Sequence, residues 1–89
     1  MKKQLNEDNR AYLLEILKES SEELSTLNFK ISNELSRIKD IEENTKISNE
    51  DKERYVFSAE IALLNMNINI EMTEKRIKRI KEIIIDNEY

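Results

Sequence analysis

Residues 56–84 read VFSAEIALLNMNINIEMTEKRIKRIKEII, and this stretch decides the fold. Taken every three or four residues it gives Val56, Ala59, Leu63, Met66, Ile70, Thr73, Ile77, Ile80 and Ile84. That unbroken heptad stripe is the pattern of a helix packed along another helix. The same stretch carries a second stripe: Phe57, Ile61, Leu64, Ile68 and Met72. At about 100° per residue the two stripes lie roughly 165° apart around the helix. A helix that is apolar on two opposite faces needs a partner on each, and an 89-residue chain has one further helix to offer. The local alternation from Asn65 to Ile70 reads as period two, a strand pattern, but the heptads on either side outvote it.

Upstream, Leu13, Leu17, Ser20, Leu24, Leu27, Ile31, Glu34, Ile38 and Ile41 repeat the same spacing. Ser20 and Glu34 are its polar positions, flanked by Leu14 and Leu35. Asn6, followed by Glu7 and Asp8, is the expected N-cap, with residues 1–5 frayed. Residues 44–51 (NTKISNED) form the one credible break, because their Asn, Thr and Ser side chains compete with helical hydrogen bonds. Ser48 with Asp51 resembles a capping box. The expectation is therefore an all-α fold, a single antiparallel coiled-coil-like hairpin over residues 1–89, with helix one at about 6–44, a turn at about 45–49 and helix two at about 50–87. Glu50–Arg54, Glu71–Lys75 and Glu74–Lys78 are the expected exposed pairs.

One register gives nearly every layer an apolar pair: Ile41 with Val56, Ile38 with Ala59, Ile31 with Met66, Leu27 with Ile70, Leu17 with Ile80 and Leu13 with Ile84. Glu34 falls near Leu63, and Ser20 near Ile77, as soft or register-setting spots. Sliding by a heptad sets Lys52 against Ile38 and Arg10 against Ile80. In the preferred register Phe29 falls at the height of Ile68. Phe29, Phe57, Ile61, Leu64, Ile68 and Met72 then make up the expected partner-binding surface. A lone two-helix hairpin buries little surface, so its second face is expected to meet either a second copy, giving a four-helix bundle, or the helices of a different protein.

Composition agrees. The chain has no Gly and no Pro, which disfavours sheets, hairpin turns and phosphate loops, and 38% of its residues are charged. Ten Asn residues weaken its helix propensity somewhat. Net charge is −4 and neither half is basic overall, so there is no general pull toward nucleic acid or anionic membrane. No apolar run approaches a membrane span, and the Met1–Asn9 start has no apolar core of the conventional signal-peptide kind. The expected compartment is the cytoplasm, with export alongside a partner as the second option. His and Cys are absent, which removes the commonest general base, thiol nucleophiles and zinc sites. No catalytic residue, metal site or cofactor is expected, and the chain is read as a non-enzyme.

Two motifs invite a functional reading. Lys75, Arg76, Lys78, Arg79 and Lys81 interleave with Ile77 and Ile80. They read first as a solvated flank of the seam, and second as a phosphate-contacting patch of a homodimeric hairpin that binds RNA or DNA. The run lacks an aromatic to stack bases, and Glu74 and Glu82 bracket it. Asn67, between Asn65 and Asn69, lies beside the seam where it could bond a partner.

The length, central turn and two long helices resemble the small helical hairpins of type VII secretion in Gram-positive bacteria. One group of these carries a Trp-x-Gly turn and a Tyr-x-x-x-Asp/Glu export signal. Here Trp and Gly are absent, Tyr12 is followed four residues on by Ile16, and Tyr55 by Ala59. The chain is more similar to a second group, accessory partners that bind the long helical N-terminal domain of an LXG-type toxin. That resemblance implies a chaperone-like adaptor and carries over no residue's role. A phage- or plasmid-borne inhibitor of a host protein is the remaining alternative.

Overall fold

A computed structural model describes residues 5–88. Residues 1–4, expected to be frayed, lie outside the described residues. Two helices account for nearly all of the rest: α1, Glu7–Glu43, and α2, Asn49–Glu88. They lie side by side as an all-α hairpin measuring 65 × 18 × 15 Å. The Asn65–Ile70 alternation is helical throughout.

Each helix start is fixed by a short polar side chain. Asn6 has extended backbone angles, and its Oδ1 accepts the Asn9 N–H at 2.7 Å. Glu7 and Asp8 place negative charge in the first turn, where the helix dipole favours it. At α2, Ser48 Oγ accepts the Asp51 N–H at 3.1 Å. The Asp51 carboxylate does not complete the capping box; it pairs with Arg54 instead, a partner the sequence assigns to Glu50. Glu71 and Lys75 pair as expected at 3.4 Å. Glu74 and Lys78 do not pair.

The connection reverses the chain without any residue at positive φ among those described. Asn44 leaves α1 in extended conformation, and its Oδ1 accepts the Lys46 N–H at 2.9 Å, a side-chain turn of the kind Asn provides. This is how a chain without Gly turns back on itself. Lys52, in the first turns of α2, donates from Nζ to the Glu42 carbonyl at 3.0 Å. Neither helix has a basic residue in its own last turn. Lys52 therefore supplies the positive charge that the carbonyl end of α1 favours.

The first stripe of α2 and its counterpart on α1 form the seam. Every member is buried or half-buried. The most deeply buried are Thr73, Ser20, Ala59, Ile80 and Leu27, and three of these five are small. Small side chains let two helix axes approach closely, so the seam is tight and thin. Thr73 resolves its burial locally, with Oγ1 donating to the Asn69 carbonyl at 2.8 Å. Glu34 is half-buried on the seam, and its carboxylate is met by Arg37 of its own helix at 3.5 Å.

Two contacts between the helices constrain the register. Arg76 reaches Glu23 at 3.4 Å, and Lys52 reaches Glu42 near the turn. With Ile41 opposite Val56, Glu23 and Arg76 stand about two residues out of level, within side-chain reach. The heptad slip would separate them by about nine residues, about 13.5 Å along the axis, and is incompatible with the contact.

Ala59 tests the tightness of the seam. Ala59→Leu adds volume where the helices touch and is expected to lower stability by about 1–3 kcal/mol, read as a drop in the urea midpoint. An unchanged midpoint would mean that the helices stand further apart than the burial implies.

Candidate functional site: the outer face of α2

Phe57, Ile61, Leu64, Ile68 and Met72 run along the back of α2, away from α1. All are exposed, between 48% and 64%. Their position follows from helical geometry. Ile61 lies two residues from both Ala59 and Leu63, which are in the seam, and two residues is about 200° of turn. The stripe is about 22 Å long, and Glu60, Asn65, Asn67 and Glu71 border it. Soluble single chains seldom expose a contiguous apolar strip of this kind.

Phe29 is also exposed, at 67%, but it does not join this strip. It lies two residues from both Leu27 and Ile31, which are in the seam, so it projects from the back of α1. The stripe projects from the back of α2, in the opposite direction. Equal height along the hairpin, which is what the heptad register supplies, does not place two residues on one side. Phe29 belongs to a separate surface.

The sequence also leads one to expect Leu14 and Leu35 to widen the α1 seam. The structure leaves both exposed. On that flank their α2 neighbours in this register are Lys81 and Glu60, whose long charged side chains do not cover them. Tyr12, Tyr55 and Ile85 are further exposed large side chains outside both stripes. Ile85 was legible: it continues the row of Phe57 and Leu64 at multiples of seven, past Glu71 and Lys78.

Two open grooves lie along α2. One, of about 490 Å³, lies near the turn beside Phe57, with Val56 at its base and Glu53 and Glu60 on its edge. The other, of about 400 Å³, lies toward the free end, floored by Leu24, Ile77 and Ile85 and rimmed by Lys78, Lys81 and Glu82.

The basic run is largely engaged by acids. Lys75 pairs with Glu71 at 3.4 Å, Arg76 with Glu23 at 3.4 Å and Arg79 with Glu82 at 3.6 Å. Lys78 and Lys81 stand on the rim of the second groove. All three pairs are exposed to solvent. Asn65 and Asn67 are exposed, and Asn69 is half-buried, its carbonyl taken by Thr73. No helix is long and apolar enough to cross a membrane, among the described residues. Nor do those residues group three or more acids where they could hold a metal ion.

No protein-family model, curated protein or solved structure matches the chain.

Proposed function

We propose that the protein is a non-enzymatic helical adaptor, which binds the long helices of another protein along the outer face of α2. The observation that carries this reading is the strip from Phe57 to Met72: five large apolar side chains on the side of α2 that α1 does not cover. The thin seam supports it. The described seam includes buried Ser and Thr, and a hairpin with so small a core gains stability from a further layer. A partner with its own exposed helical face would complete a bundle by packing side chains into this strip. The resemblance to the accessory hairpins of type VII secretion makes the helical N-terminal domain of an LXG-type toxin the first candidate.

The test is co-expression with the helical N-terminal domain of an LXG-type toxin, followed by co-purification of wild type and of an Ile61→Glu, Leu64→Glu, Ile68→Glu variant. The wild type should retain the domain, and the variant should lose it while keeping its helical circular dichroism. Equal retention by both would sink the reading. Nucleic-acid binding through Lys75–Lys81 is the weaker reading, because the run has no aromatic to stack bases and Glu74 and Glu82 bracket it.

A further inference from the structure

The chain presents 7280 Å² to solvent. A compact folded protein of 10.6 kDa presents about 5,500 Å² by the usual scaling of surface with mass. The excess, about 1,800 Å² per chain, is more than the roughly 800 Å² that each partner of a standard protein interface buries. An apolar strip and an excess of this size call for cover, and the charges at the ends of the strip indicate what covers it.

We infer that, when no other partner is present, a second copy of this chain occupies the strip, with its α2 antiparallel to the first. The inference rests on the reading of this face as a helix-docking surface, and adds the occupant and the register. Antiparallel helices pair residues whose numbers have a constant sum. Placing Ile61 opposite the second copy's Leu64 also sets Phe57 against its Ile68, and the two-fold symmetry repeats both pairs. The next layer outward sets Arg54 against the second copy's Glu71. The layer beyond sets Glu50 against its Lys75; Arg54, Glu71 and Lys75 exchange their exposed intrachain pairs for these. Apolar layers thus fill the centre, and each flanking layer joins opposite charges, four such pairs in all.

The other arrangements fail at the same positions. Sliding one heptad one way opposes Phe57 to Lys75, Ile61 to Glu71, Arg54 to Lys78 and Glu50 to Glu82. Sliding the other way buries Arg54 against Leu64 and Glu50 against Ile68. A parallel pair sets Arg54, Glu71 and Lys75 each against itself. Like charges facing one another exclude an arrangement more sharply than opposite charges favour one. In the favoured register one edge pair, Glu53 with the second copy's Glu74, is like-charged. It lies at the solvent margin, where salt screens it.

The same register means that the second copy and a different helical protein compete for one surface. A partner of the proposed kind therefore binds by exchange, and self-association sets the concentration at which it must compete.

A charge swap tests the register. Arg54→Glu and Glu71→Arg each create two like-charge pairs and should weaken the dimer by about tenfold or more. The double variant Arg54→Glu/Glu71→Arg should return to within about threefold of wild type. Mass is read by light scattering, with circular dichroism to confirm that each variant is helical. A covalent probe runs beside it. The chain has no Cys, so an Arg54→Cys/Glu71→Cys variant carries the only thiols and should oxidise to a linked dimer, while Phe29→Cys should not. A double swap that restores nothing, or a Cys pair that does not link, overturns the register. Wild-type protein that keeps a mass of 10.6 kDa at high micromolar concentration overturns the dimer. Neither result touches the adaptor reading, which stands or falls on co-purification with a different protein.

Discussion

Ile80→Asp is expected to unfold the protein. Ile80 is 5% exposed, in the seam against α1. Replacing it removes a large buried hydrocarbon, which costs about 2–5 kcal/mol in comparable core truncations. It also puts a carboxylate into a site without a hydrogen-bonding partner, at a cost of several kcal/mol more. A domain of this length has a total stability of about 5–10 kcal/mol, and a hairpin with a thin seam belongs at the lower end. The variant should therefore show little helical ellipticity at 25 °C and no cooperative thermal transition. The control is Ile68→Asp, the same chemical change on the same helix but on the outer strip. It should keep its ellipticity and lose only association. If Ile80→Asp melted like wild type, the Val56–Ile84 stripe would not be the seam that holds the helices together.

The second expected result is a melting temperature that rises with protein concentration. If folding and association are coupled, each tenfold increase in concentration adds about 1.4 kcal/mol per dimer, or about 0.7 kcal/mol per chain. For a domain of 60–100 residues that corresponds to a rise of about 3–6 °C per decade. The Ile61→Glu, Leu64→Glu, Ile68→Glu variant should melt at one temperature whatever its concentration. Its midpoint should match the low-concentration limit of the wild type, because the three side chains contribute nothing to the seam. A wild-type midpoint independent of concentration over two decades would place the free protein as a single chain. A variant midpoint far below that limit would mean that the strip supports the hairpin itself.

Much of this architecture was legible in the sequence because heptad spacing is a strong signal over nine consecutive positions. The seam residues from Val56 to Ile84 and from Leu13 to Ile41 are the residues the structure shelters. Asn6 and Ser48 were legible as caps because a side-chain oxygen ahead of an acidic turn has few other uses. What escaped was mostly lateral. Leu14 and Leu35 look like seam residues in a one-dimensional pattern, and only the charged neighbours across the flank leave them in water. Phe29 shares its height with Ile68 but faces the other way, because register sets height along the hairpin and not direction around it. Asp51 took Arg54 because three residues and four residues are both within reach on a helix, and spacing alone does not choose. Lys52 is the clearest omission. Its bond to the Glu42 carbonyl depends on how the turn brings two distant positions together, which no local pattern encodes.

The outer strip is also off-centre. It begins eight residues after α2 starts and ends sixteen before α2 stops. A partner docked there as proposed would grip the hairpin near the turn and leave an arm of about 24 Å extending past the grip. The start of α1 and the end of α2 meet at the tip of that arm. A fluorophore or affinity tag attached at either end therefore stands clear of the docking surface, and the same spacing lets a bound helix be detected by distance. Dyes at the two arm tips of an antiparallel pair would lie at opposite extremes of the assembly, whereas a parallel pair would bring them together.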